Sequence, residues 1–184
     1  MSASLAVWSK MGEEIIRSEY LYRGHILKLR LDQTRLENKQ VVQREIVEHR
    51  GAVAIVALDE RNTVLMVRQY RSGAGRELLE IPAGTIEDGE DPAICATREL
   101  KEETGYHALH WDALGYFYSS PGFCTEKMYL YLARQLTSGT SSPEGDELIQ
   151  VEKIPLAQLL AQIQRGEILD AKTIVGLMRV NQII

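Results

Sequence analysis

The chain lacks the parts that several large classes of protein are built from. Only two cysteines, Cys95 and Cys124, occur in 184 residues. They have neither zinc-ligand spacing nor a histidine partner in sequence, so a disulfide framework, a zinc centre and a cysteine–histidine nucleophile are all without their components. Both are read as reduced structural thiols. The four histidines, His25, His49, His107 and His110, are scattered; the last two read as a pair in a loop, and no imidazole metal site assembles from them. Basic residues are not in excess: 21 Lys and Arg stand against 26 Asp and Glu, a net charge of −5. That balance argues against a nucleic-acid-binding surface, which needs a basic patch. No apolar run is long enough to cross a membrane, and residues 1–8 are too short and too soon followed by charge to be a signal peptide, so a cytoplasmic location is expected. There is no internal repeat.

What is present is enough for one ordinary domain and a small additional element, since 45% of the residues are hydrophobic. Residues 1–12 read as a leader. Three strands follow, near residues 15–21, 25–31 and 40–47, with turns at Arg23-Gly24 and Asn38-Lys39. Alternation in the second and third predicts one buried face each. Two or three strands need a partner surface, and a second copy of the chain is the natural one. Residues 1–50 are therefore expected to form a dimerising strand subdomain, and residues 51–184 the main domain. There the apolar run 52–58 and the segment 63–68 predict a buried hairpin. Further strands are expected at 111–118, 126–133 and 149–154, followed by two short helices, the second capped by Asp170. Strands flanked by helices without regular alternation give an α+β class with a mixed sheet.

The most informative stretch runs from Gly84 to Tyr106. Asp91 suits an N-cap, Pro92 the first helical position and Gly105 the C-terminal stop. On the helix between them Ala93, Ala96 and Leu100 fall in a narrow arc that predicts a core-facing side. Glu99, Glu102 and Glu103 stand at i, i+3 and i+4, three carboxylates within about a turn and on the side assigned to solvent. Arg98 can pair with Glu102 but cannot neutralise them all. Such a face is either a solvated helix surface or a site for hard divalent cations, whose preferred ligands are carboxylate oxygens.

The full pattern separates these two readings. Gly84, five residues, Glu90, seven residues, then Arg98-Glu99-Leu100-Lys-Glu102-Glu103-Thr-Gly105 matches the Nudix box; Tyr106 replaces the usual final aliphatic residue, a departure that touches packing. The chain thus resembles the Nudix hydrolases, which cleave nucleoside diphosphates linked to another moiety. The resemblance implies an αβα sandwich with a mixed sheet, beside the small antiparallel N-terminal β subdomain. Pro121, sixteen residues beyond Gly105, together with residues 67–71, 80–84 and 119–126, is similar to the ADP-ribose pyrophosphatase subfamily, whose N-terminal strands are exchanged between two subunits.

From this resemblance follow expected roles. Glu99 and Glu103 would hold Mg²⁺ or Mn²⁺, with Glu102 and the carbonyl of Ala83 contributing. Glu90 would pair with Arg98 and orient it. A glutamate on the loop before the last strand would serve as base or further metal ligand, Glu147 first and Glu144 second. Arg71 is the candidate for the substrate phosphate, because its fork matches phosphate oxygens. Arg68 fits either a phosphate contact or a strand-end charge, and Glu80 either the adenine and ribose side or a strand-edge salt bridge. Tyr20, Tyr22 and Tyr118 fit base stacking or ordinary packing. The expected activity is metal-dependent hydrolysis of ADP-ribose to AMP and ribose 5-phosphate by a homodimer. The alternatives are another nucleoside diphosphate sugar, such as GDP-mannose or ADP-glucose, and a sensor that binds ADP-ribose without cleaving it. The intact carboxylates disfavour the sensor.

Overall fold

Alternating residues before Gly51 form three antiparallel strands, β1 (Glu14–Arg23), β2 (Leu27–Arg35) and β3 (Val41–His49), in that order across the sheet. The computed structural model describes residues 12–139 and 149–184; residues 1–11 of the expected leader, and Glu144 and Glu147 with them, lie outside the described residues. β2 and β3 pair without a break from Leu27 opposite His49 to Arg35 opposite Val41. The chain turns between them where Lys39 adopts a left-handed conformation (φ 68°), the predicted turn. These strands form one compact unit with Gly122–Thr125. The Val47 N–H donates to Phe123 O at 2.7 Å, and the Thr125 N–H donates to Val47 O at 2.9 Å. Sequence order alone assigns that short segment to the later domain; its backbone pairing assigns it here.

The expected buried apolar face of β2 is not what the chain shows. The buried residues of β2 are Asp32 and Thr34, while Leu27 is exposed. Arg30 explains the burial of the acid: its Nη2 donates to Asp32 Oδ2 at 2.9 Å. In the same unit Ile15, Ile16, Leu21, Tyr22, Ile26 and Val41 are exposed.

The second unit is layered on β4 (Ala52–Leu58), in which every residue is buried. A strand covered on both faces has no polar side, which is why this stretch reads as an unbroken apolar run. Val53, Ile55 and Ala57 face one core and Ala54, Val56 and Leu58 the other. After it come β5 (Thr63–Arg71), β6 (Arg76–Glu80), β7 (Ala83–Thr85), α1 (Pro92–Thr104), β8 (Tyr106–Tyr118), β9 (Lys127–Ser138), β10 (Gln150–Pro155), α2 (Leu156–Gln164) and α3 (Ala171–Val180). The sheet runs β10-β5-β4-β9-β8, with β6 beside β5 and β7 beside β4. β4 and β9 are parallel and the other pairs antiparallel, so the sheet is mixed. Cys95, Ala96 and Leu100 of α1 close one core; Leu159 of α2 with Leu177 and Val180 of α3 close the other. This is the expected αβα sandwich.

The expected buried hairpin of β4 and β5 forms, paired at Ala57 with Leu65 and Leu58 with Val64; farther along, β7 takes the place beside β4 and pairs Ala54 with Ala83 and Val53 with Gly84. Two local expectations need correction. His107 and His110 are not in a loop but in β8, which begins directly after Gly105. On α1, Ala93 is exposed, and the buried set is Cys95, Ala96, Leu100, Glu103 and Thr104. Glu103 follows Ala96 by seven residues, about two full turns at 3.6 residues per turn, so it lies on the core side and not opposite to it.

Candidate active site

The signals for α1 are local and all three operate. Asp91 Oδ1 accepts the Ala93 N–H at 2.8 Å, Pro92 opens the first turn, and Gly105 (φ 73°) closes the helix as its N–H donates to Lys101 O. A left-handed residue suits glycine, which has no Cβ to clash. The helix is thereby fixed in length and phase, and the phase decides where the carboxylates go.

Glu103 is only 4% exposed. Its Oε2 accepts the Ala83 N–H at 3.0 Å, so the carboxylate rests on the start of β7. Glu99, one turn earlier, lies over the next residue: a Cβ placed on Gly84 would stand 1.9 Å from Glu99 Cδ. Glycine is needed there because the acid occupies the space of a side chain. Two carboxylates therefore converge on the Ala83-Gly84 backbone, while Glu102 is the more open to solvent.

Arg98 gathers Glu90, Glu99 and Glu102. Its Nε and Nη2 donate to the two oxygens of Glu90 at 3.0 and 3.1 Å, and its Nη1 donates to Glu99 Oε1 at 2.7 Å and Glu102 Oε2 at 2.9 Å. The Arg98 guanidinium beside Glu90 holds that carboxyl down at about 2, well below the ordinary 4.5. Hydrogen bonding to Glu90 in turn raises the pKa of Arg98. The expected Glu90–Arg98 pair is thus a bidentate clamp that also reaches Glu99 and Glu102.

Among the described residues no three acidic, histidine or cysteine side chains converge as ready-made ligands, because Arg98 draws Glu99 and Glu102 to itself and Ala83 holds Glu103. The donors available are nevertheless all oxygen, on one helix face against one strand, which fits a hard divalent cation. Cys95 is not a rival ligand: burial pushes its thiol up to about 12, so it stays protonated and soft-metal chemistry has no thiolate to use.

Arg71 and Glu80 form a second cluster. Arg71 Nε and Nη2 donate to the two oxygens of Glu80 at 2.9 and 2.7 Å. Glu80 is 1% exposed. Burial alone would raise its pKa, but the hydrogen bonds and charges of Arg71 and Lys172 outweigh it and hold the carboxyl below its ordinary value. Glu103 is near enough to act electrostatically on Arg71, which ties the two clusters together. Arg68 points elsewhere: its Nε donates to Glu152 Oε1 of β10 at 2.6 Å. Pro121 is exposed in the turn after β8.

Sequence reasoning missed Lys172. It donates to Glu80 Oε2 and lies 3.1 Å from Asp170 Oδ1. A signal was present, because a cation in the first turn of a helix opposes the helix dipole and so asks for a tertiary reason.

A NUDIX domain family model matches residues 48–174, more than half of the chain and the whole stretch that carries these clusters. The chain belongs to the Nudix family. Nudix hydrolases of this kind generally need a divalent metal. Among curated relatives, this Nudix chain is 39% identical over 166 residues to a methanol dehydrogenase activator from Bacillus methanolicus, covering 89% of this chain and 90% of that protein. It is 38% identical over 163 residues to an ADP-ribose pyrophosphatase from Bacillus subtilis (strain 168), covering 88% of each. A solved structure of an ADP compounds hydrolase superposes with a TM-score of 0.79 over 92% of both chains, at 24% identity; it shows the shared fold. Among the described residues no helix is long and apolar enough to cross a membrane.

Proposed function

We propose that this Nudix protein hydrolyses the diphosphate of ADP-ribose, giving AMP and ribose 5-phosphate, with Mg²⁺ or Mn²⁺. The observation that carries this is the convergence of Glu99 and Glu103 on the Ala83-Gly84 backbone, supported by the relative named for that activity. Glu99, Glu103 and the Ala83 carbonyl would hold the cation, with Glu102 and Glu147 as further oxygen donors. When bound, the cation screens the phosphate oxygens and lowers the pKa of a water bound to it.

The protein residues supply orientation and charge. Glu90 fixes Arg98, and Arg98 directs Glu99 and Glu102 through its hydrogen bonds. Water adds to a phosphorus of the diphosphate, the bridging P–O bond breaks, and the proton of the water passes to Glu147, or to Glu144 in its place, as base. Arg71 binds a phosphate of the substrate, Glu80 fixes Arg71, and Pro121 borders the substrate; Arg68, paired with Glu152, serves as the strand-end charge. The exposed apolar residues of β1 and β2 meet a second copy in a homodimer, residues 1–50 forming the dimerising subdomain, and the enzyme works in the cytoplasm.

The test is a hydrolysis panel of ADP-ribose, GDP-mannose, ADP-glucose, NADH and a dinucleoside polyphosphate, each with Mg²⁺, Mn²⁺ or EDTA. Preferential, EDTA-sensitive release of AMP from ADP-ribose is expected. Preference for another sugar nucleotide would keep the chemistry and replace the substrate; tight ADP-ribose binding without turnover of any compound would replace an enzyme by a sensor.

A further inference from the structure

The Glu80 cluster contains one cation more than its buried carboxylate needs. Arg71 alone satisfies both oxygens of Glu80 through Nε and Nη2, yet Lys172, also mostly buried, shares Oε2. Removing an ammonium from water is costly, and the position of Lys172 in the first turn of α3 adds an unfavourable interaction with the helix dipole. Asp170 only partly offsets this. Its Oδ1 is 3.1 Å from Lys172, while its Oδ2 is engaged by the Thr173 N–H at 2.9 Å and the Thr173 hydroxyl at 2.5 Å. That hydroxyl oxygen also accepts the Ile81 N–H at 2.9 Å, which locks the start of α3 to the residue after Glu80. The arrangement is rigid, and the side chain of Arg71 keeps 37% of its surface exposed. Among the described residues its Nη1 has no hydrogen-bond partner.

We infer that Lys172 is a positioning residue for diphosphate recognition: by sharing Glu80 and meeting Asp170 it offsets carboxylates that Arg71 would otherwise face alone, so that Arg71, anchored at two nitrogens, attracts a substrate phosphate more strongly. Without Lys172 the two carboxylates Glu80 and Asp170 would face Arg71 alone, leaving the cluster net negative, and Arg71 would remain in place but attract phosphate less. This rests on the reading that the site takes a nucleoside diphosphate, whichever sugar it carries.

The experiment titrates the full chain with ADP in EDTA by calorimetry, and in parallel measures KM and kcat for ADP-ribose with Mg²⁺. Lys172→Met should weaken ADP binding about tenfold and raise KM to match, with kcat within about threefold of wild type. Lys172→Arg should restore most of the affinity. The double variant Glu80→Gln/Lys172→Met should bind ADP more tightly than Lys172→Met alone, because a neutral glutamine no longer offsets Arg71. Should Lys172→Met fail to fold, Lys172→Gln decides: ADP binding weakened about tenfold supports the inference, and wild-type affinity overturns it. Wild-type affinity in Lys172→Met, or no recovery in the double variant, likewise overturns it. Wild-type protein that binds ADP but does not cleave ADP-ribose would overturn the proposed function and leave the role of Lys172 to the ADP titrations; wild-type protein that does not bind ADP would overturn the inference.

Discussion

The two units of the chain place their residues against opposite grains. In the β1–β3 unit apolar side chains stand in water, with Tyr22 58% and Ile26 62% exposed, while Asp32 is buried. In the unit built on β4 the apolar residues are inside, and Glu80 and Glu103 have gone in with them. Each anomaly has its own chemistry. Clustered exposed apolar residues mark a surface for another protein, whereas buried carboxylates held by arginine, lysine and backbone N–H groups mark a place prepared for charge. The N-terminal sheet offers apolar surface, and the Nudix unit offers buried charge.

That contrast can be broken most sharply at Glu103. Glu103→Gln keeps an acceptor for the Ala83 N–H but removes the charge. Turnover should fall by roughly a hundredfold or more while the thermal midpoint moves by only a few degrees; near-wild-type kcat would end the assignment of Glu103 to the metal site. In the other unit, Ile16→Lys with Leu21→Lys, both exposed, should weaken self-association about tenfold or more in sedimentation equilibrium without loss of β-sheet signal. A dimer of unchanged strength would mean that this surface is not its interface.

Gly84→Ala separates stability from activity within the Nudix unit. The new Cβ would stand 1.9 Å from Glu99 Cδ, but what must move is the end of a flexible side chain. Melting should change by about 2 °C or less, whereas activity should drop about tenfold as Glu99 is displaced. The smallest effect is expected at Glu90. Its carboxyl is held at about 2 against an ordinary 4.5, so the folded state favours its ionised form. That contribution is complete above about pH 4.5 and is lost as pH falls toward about 2. Glu90→Gln should therefore melt slightly lower at neutral pH and show a shallower loss of melting temperature across that window; parallel curves for variant and wild type would refute the Glu90–Arg98 clamp as a source of stability.

Much of the architecture was readable because it depends on neighbours in sequence. Asp91, Pro92 and Gly105 bound α1 wherever it packs, Asp170 caps α3, and the apolar run of β4 announces burial on both faces. The readings that failed were those that distant contacts override. Pairing with β9 extends β8 back to Tyr106 and takes in His107 and His110, although neither histidine has strong strand preference. β7 is three residues long and carries no periodic signal, yet it displaces β5 from beside β4 and brings Ala83 and Gly84 under α1.

The sequence alone determined the chemistry on offer: an acid-rich helix of fixed length, an arginine to clamp it and oxygen donors without usable sulfur or imidazole. Those follow from residue type, capping and spacing, which act over a few residues. Only the tertiary structure decided how the acids divide, with Glu103 inside against Ala83, Glu99 over Gly84 and Glu102 toward water, and which cation meets Glu80. Lys172 and Glu80 are 92 residues apart, and a buried ion pair is set by where the packed sheet and helix bring its two members, since its strength depends on distance and on the exclusion of water.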